Sequence, residues 1–276
     1  MKIKSFIKQI LAITKEKNFI PVQHIVDDNC ILNGKVAIIT GGSGGIGMAI
    51  AKSFCESGCK TIICGTNDEK LKNCIKQFPS NACVQTMMFD ISKFENIKEK
   101  VDEATKIFGK VDILVNCAGV HTDHVDFFTI TPQEYDRIMN INIKGPYFLC
   151  QEFGRYMKEK KINGHMLLVS SSRGSEPAWS PYGISKWTLN GLIKGLAQML
   201  LPYGVIVNGI SPGSTATELI GVKKGDSIYT TENRVNRLIM PDEVANLAKL
   251  LVSNAGDMII GETILISGGR GTIDIR

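Results

Sequence analysis

The strongest constraint on this chain is an alternation. Seven short apolar runs, at residues 36–39, 61–64, 83–89, 111–115, 166–169, 205–208 and 262–266, are separated by segments of helical periodicity. Most of the runs are rich in β-branched residues and are continuously apolar, as expected of strands covered by helices on both sheet faces. The intervening segments 46–57, 67–77, 97–108, 133–139, 147–158, 182–200 and 241–251 read as helices. Strands that alternate with helices pair in parallel through crossover connections. The expected fold is therefore α/β: one doubly wound domain over residues 34–276 with a seven-stranded parallel sheet. Sheets of this kind bind ligands outside the carboxyl ends of their strands.

Residues 1–33 stand apart as an N-terminal extension. Ile3, Phe6, Ile7, Ile10 and Leu11 follow the spacing of an amphipathic helix. Lys2, Lys4, Lys8, Lys15 and Lys17 against Glu16 give residues 1–17 a charge of +4, out of +5 for the whole chain. The expectation is a helix packed on its own body or on a sister subunit, ahead of one lying on a membrane surface. The remaining body is near neutral, which argues against a nucleic-acid surface. No run of apolar residues is long enough to span a membrane. The eight cysteines include no Cys-x-x-Cys pair, and no signal-peptide pattern precedes them. Free thiols in a reducing, cytoplasmic setting are expected. Cys55, Cys59 and Cys64 lie closest together, but a helix-to-strand transition expected between Cys59 and Cys64 argues against a shared metal.

Between the first run and the first helix lies Thr40-Gly41-Gly42-Ser43-Gly44-Gly45-Ile46-Gly47. Glycines at such a turn let backbone amides approach a pyrophosphate at a helix N-terminus. Three spacings fit equally well: Gly42, Gly44 and Gly47; Gly41, Gly44 and Gly47; or Gly41, Gly45 and Gly47. Further along, Tyr182 and Lys186 stand four residues apart, on one face of the expected helix. A cation beside a phenol favours the phenolate and suits it to proton transfer.

With these features in this order, residues 34–270 resemble the classical short-chain dehydrogenase/reductase family. The Gly41, Gly45 and Gly47 spacing is that family's cofactor motif, on a Rossmann domain. Asn116-Cys117-Ala118-Gly119 resembles its Asn-Asn-Ala-Gly motif, with Cys117 in place of the second asparagine. Asn142, Ser171, Tyr182 and Lys186 match its catalytic set. The interval from Ser171 to Tyr182 is short for the family, which leaves Ser172, or Ser170, open as the serine. Pro212-Gly213, followed by Thr215 and Thr217, resembles the segment that contacts nicotinamide, and Gly268-Gly269 the usual C-terminal pair.

The resemblance implies hydride transfer between a nicotinamide cofactor and a carbonyl or secondary alcohol, with Tyr182 as acid–base. Lys186 would support the phenolate and hold the cofactor ribose, Ser171 would bind the reacting oxygen, and Asn142 would order a water. It implies cofactor contacts from Gly41, Ser43, Gly44, Gly45, Ile46, Gly47, Thr66, Asn67, Asp90, Ile91, Asn116, Ala118 and Gly119. Family members that prefer NAD carry an acidic residue after the second strand. Here Cys64-Gly65-Thr66-Asn67 has none before Asp68, so NADP is favoured over NAD. His121, Asp123, His124 and Asp126 are read as substrate-loop residues, since this chemistry needs no metal. Trp179 is a candidate for the substrate pocket and Trp187 for helix packing. The resemblance further implies a homodimer or homotetramer. A 3-oxoacyl thioester reductase is the more specific alternative, and a non-catalytic dinucleotide sensor on the same fold is the other.

Overall fold

The computed structural model describes residues 30–122, 126–223 and 225–270. The expected N-terminal helix, Asp123 and His124 lie outside them. Seven strands form one parallel sheet: β1 Val36–Thr40, β2 Lys60–Gly65, β3 Val84–Met88, β4 Ile113–Asn116, β5 His165–Val169, β6 Ile206–Pro212 and β7 Thr263–Ile266. Their order across the sheet is β3-β2-β1-β4-β5-β6-β7. Seven α-helices connect them: α1 Gly45–Glu56, α2 Asp68–Ile75, α3 Ile97–Ile107, α4 Pro132–Met139, α5 Gly145–Lys160, α6 Pro181–Leu200 and α7 Pro241–Leu251. The order reverses between β1 and β4, the switch point at which such sheets open a crevice.

The continuous apolar runs are explained by two cores, one on each face of the sheet. On β1, Val36 and Ile38 enter one core while Ala37 and Ile39 enter the other. On β5, Met166 and Leu168 are likewise set against Leu167 and Val169. Successive side chains point to opposite faces, so a strand buried on both sides needs no polar alternate. Val101 of α3, Phe153 of α5 and Ile193 of α6 close the first core; Phe54 of α1 and Ala248 of α7 close the second. Burying a side chain the size of Phe54, Phe153 or Ile193 is worth about 1.5–3 kcal/mol. Leu32, ahead of β1, is also fully buried in the second core.

Two local differences from the sequence reading have physical causes. The helix-to-strand transition falls between Glu56 and Lys60, because Gly58 turns the chain with φ +85°. The segments expected as separate helices around 133–139 and 147–158 are joined by a wide π-helical turn, Asn140–Lys144. Such an opening of the helical ladder re-aims the side chains within it.

Candidate active site

The glycine turn leaves β1 and enters α1 at the crevice. Gly41 has φ +65°, and a Cβ there would lie 2.7 Å from Ala118 N, in the turn after β4. A Cβ at Gly45 would lie 2.5 Å from Thr217 Cγ2, and one at Gly47 would lie 2.4 Å from Gly41 O. At Gly44 the nearest atom would be Gly41 O at 3.5 Å, an ordinary contact. Of the three spacings the sequence allowed, only Gly41, Gly45 and Gly47 avoids the one position with room for a side chain. The N-cap of α1, Gly44, offers no side-chain acceptor, and the first turn holds no acidic residue. The leading amides of α1 are thus left to a ligand.

They border a cavity of about 350 Å³ lined by Gly41, Ser43, Gly44, Gly45, Ile46 and Gly47, with Thr66, Asp90, Ile91, Ala118 and Gly119 on its other walls. This cradle suits a dinucleotide: backbone donors meet a pyrophosphate where a side chain would block it. Asn67 does not line it. Its Oδ1 accepts from Lys70 N at 2.8 Å and caps α2. Asp90 Oδ1 accepts from Ser92 N at 2.9 Å and from Ser92 Oγ at 2.7 Å, holding the loop that forms the cavity edge. Asn116 is buried and braces the switch point, accepting from Thr40 Oγ1 at 2.7 Å. Cys117 beside it is partly buried, and desolvation pushes its thiol up to about 12.

A second cavity of about 260 Å³ adjoins the first, sharing Ile46, Thr217 and Leu219. Ser170, Ser171, Ser172 and Tyr182 form one wall; Pro212, Gly213 and Thr215 form another. β6 runs on through Pro212 and so carries this segment to the sheet's carboxyl edge. Ser180 caps α6, accepting from Gly183 N at 3.2 Å, and Tyr182 follows in the first turn.

The candidate catalytic side chains converge here. Lys186 is buried, its Nζ 5.5 Å from the centroid of the Tyr182 ring, and it donates to Val169 O at 3.1 Å. A Cβ on Gly119 would come within 3.7 Å of that Nζ, so the ammonium lies directly behind the wall of the larger cavity. Asn142, in the π-helical turn, accepts from Val120 N at 2.9 Å and donates to Val120 O at 3.0 Å. Its Nδ2 also donates to Ser185 Oγ at 3.1 Å, and Ser185 donates to Tyr182 O at 2.7 Å. Asn142 thus braces both the loop after β4 and the first turn of α6.

The three serines are not equivalent. Ser170 Oγ is turned away, donating to Asn190 Oδ1 at 2.7 Å. Ser171 Oγ, on the cavity wall, accepts from Arg173 N at 3.3 Å. Trp179 is half-exposed and lines a small annex, whereas Trp187 is half-exposed and donates from Nε1 to Glu176 O at 2.6 Å. Asp126 caps its own loop, accepting from Phe128 N at 2.8 Å. Arg270 and Glu232 also line the second cavity, and neither belongs to a motif legible in the sequence. Arg270 Nε donates to Glu176 Oε1 at 2.8 Å, and its Nη1 pairs with Glu232, so three distant segments meet in one cluster. Among the described residues, no group of three His, Cys, Asp or Glu side chains is arranged to hold a metal, and no helix is long and apolar enough to cross a membrane.

A family model described as short chain dehydrogenase matches residues 35–226. A 3alpha-hydroxysteroid dehydrogenase of Mediterraneibacter gnavus is 29% identical over 86% of this chain and 97% of its own length. An L-rhamnose 1-dehydrogenase (NADP(+)) of Thermoplasma acidophilum is 30% identical over 86% of this chain and 96% of its own. Among solved structures, a 3-ketoacyl-(acyl-carrier-protein) reductase from Brucella melitensis, complexed with NADH, superposes with a TM-score of 0.77. It is 30% identical, covering 88% of this chain and all of that one. The chain belongs to the short-chain dehydrogenase/reductase family, whose members are oxidoreductases that use nicotinamide cofactors.

Proposed function

We propose that this protein is an NAD(P)-dependent oxidoreductase that interconverts a ketone or aldehyde and its alcohol, with Tyr182 as the acid–base. The observation that carries this reading is the meeting of two cavities: Ser171 and Tyr182 line one, the glycine cradle lines the other, and Ile46 and Thr217 border both. When bound, the nicotinamide cofactor supplies or accepts the hydride. The amides of Gly45 and Ile46 and the hydroxyl of Ser43 would hold the pyrophosphate, and Thr66, Asp90 and Ile91 the adenosine end. Tyr182 gives its phenolic proton to the oxygen of a carbonyl being reduced, or takes one from an alcohol being oxidised. Lys186 places a positive charge beside the Tyr182 ring, where it would favour the phenolate, and from behind Gly119 it would help hold the cofactor ribose. Ser171 donates to the same reacting oxygen, where negative charge develops. Asn142 holds Val120 and the first turn of α6 in register.

NADP is the favoured cofactor. Thr66 stands on the cavity wall where an NAD-specific site places a carboxylate, and Asp68, the first acid beyond it, is paired with Lys72 Nζ at 2.6 Å. The end of β2 therefore presents no unpaired carboxylate to repel a 2′-phosphate.

The test is turnover of a carbonyl panel, including a 3-oxoacyl thioester, by wild type and Tyr182→Phe with NADPH and with NADH. Loss of the phenolic proton should lower kcat by about 10²-fold or more while cofactor affinity is kept, since general acid–base groups contribute 10²–10⁴. Higher kcat/KM with NADPH than NADH is expected, and the reverse order overturns the cofactor reading. Unchanged turnover in Tyr182→Phe overturns the assignment of the acid–base. Cofactor binding with no turnover across the panel would instead indicate a dinucleotide sensor.

A further inference from the structure

His121 is held more firmly than an exposed loop residue needs to be. Its neighbour Val120 is bonded at both N–H and C=O to Asn142. Its own carbonyl accepts from Arg137 Nη2 at 3.0 Å. Its Nδ1 lies 2.9 Å from Thr122 O, and because a carbonyl only accepts, that nitrogen carries the proton. Thr122 Oγ1 in turn accepts from Tyr182 N at 3.3 Å, which docks the loop on the start of α6. The imidazole ring then lies on the Tyr182 ring, with centroids 4.2 Å apart and planes inclined by 35°.

That ring stands at a boundary. The 260 Å³ cavity and a smaller one of about 150 Å³ are both lined by His121, Arg173 and Tyr182. The larger holds Ser171 and the segment from Pro212 to Thr217. The smaller is walled by Pro177, Ala178 and Trp179 on its apolar side and by Thr122 and Ser180 on its polar side, and Tyr182 is the one group of the proposed chemistry that borders it.

We propose that His121 is a specificity-determining residue: its ring, stacked on Tyr182, closes the reaction cavity off from the Trp179 annex and restricts the enzyme to compact carbonyl substrates. Removing the ring joins the annex to the reaction cavity and admits ketones that carry an additional apolar ring. The inference rests on Tyr182 being the acid–base of the proposed reaction.

The experiment compares wild type, His121→Ala and His121→Phe on a nested series of ketones, cyclohexanone and 1-decalone being the key pair. His121→Ala should raise the decalone-to-cyclohexanone ratio of kcat/KM by about tenfold or more, the range in which apolar pockets discriminate. The gain should lie chiefly in a lower KM for decalone. His121→Phe, which keeps a flat ring on Tyr182, should hold the wild-type ratio. A ratio unchanged in His121→Ala, or shifted as far in His121→Phe, overturns the proposal. Wild-type turnover that disappears in Tyr182→Phe shows the catalytic reading to be intact, so such a result then counts against His121 alone. A wild type that binds cofactor but turns over no ketone of the series overturns both.

Discussion

At the level of single residues, the turn between β1 and α1 is decided by space. Four glycines in five positions made three motif spacings indistinguishable in the sequence, because every candidate was already a glycine. Only the neighbours separate them: Gly47 is packed against Gly41 O and Gly42 Cα, while Gly44 faces room. Gly47→Ala would set a Cβ 2.4 Å from a backbone oxygen that cannot rotate away. It should cost about 1–3 kcal/mol, as overpacking does, and weaken cofactor binding. Gly44→Ala, with its contact at 3.5 Å, adds no clash and should cost less than Gly47→Ala, only the preference of a helix cap for glycine over alanine. Denaturant unfolding of the two variants, with a fluorescence titration of NADPH, compares them directly; equal losses would refute the spacing chosen here. The serines repeat the lesson. Three adjacent hydroxyls look alike in the sequence, and the bond from Ser170 to Asn190, twenty residues away, takes Ser170 out of contention.

At the level of elements, α6 positions the proposed chemistry, and its start matters more than its length. Pro181 at the first helical position and Ser180 as cap define where the helix begins. The helix starts at Pro181, one residue before the expected Tyr182, because proline at the first helical position forfeits no intrahelical hydrogen bond. Ser180→Ala removes the acceptor for Gly183 N and should destabilise the protein by about 1 kcal/mol. Ser180→Gly should cost only a few tenths of that unit, because glycine is itself tolerated at a cap. With Tyr182 in the frayed turn, kcat should fall more than cofactor affinity. Thermal unfolding, read beside kcat and the NADPH Kd, checks both halves; a variant with unaltered Tm would show the cap to be idle. The π-helical turn that carries Asn142 was not legible, since nothing in Asn140-Ile141-Asn142-Ile143-Lys144 distinguishes it from a loop between helices. Only packing against Val120 and Ser185 gives that turn its reason.

At the level of the whole molecule, the parallel sheet was legible because both faces of its inner strands are covered, which wrote largely unbroken apolar runs into the sequence; the edge strand β3 is interrupted by Gln85 and Thr86. Strand limits were less so: β6 continues four residues beyond its expected end, through polar Ser211 and Pro212, where contact with β7 replaces hydrophobicity as the cause. The same double burial governs the thiols. All eight cysteines are free, with Cys30 and Cys83 exposed and Cys59, Cys64, Cys74 and Cys150 buried. Burial pushes the thiols of Cys59 and Cys150 up to about 12, and raises that of Cys64 further. Since the thiolate is the nucleophile, a disulfide reagent should modify Cys30 and Cys83 quickly in the native protein and spare the four buried residues. Raising the pH to about 10 should not expose Cys59 or Cys150, because a thiol titrating two units higher remains overwhelmingly protonated. Denaturant should release the whole complement together, as expected if the two cores are lost in one cooperative transition. Mass mapping of the modified peptides tests this. Reaction of Cys64 or Cys150 at the rate of Cys83 would mean that the sheet is not closed on both faces.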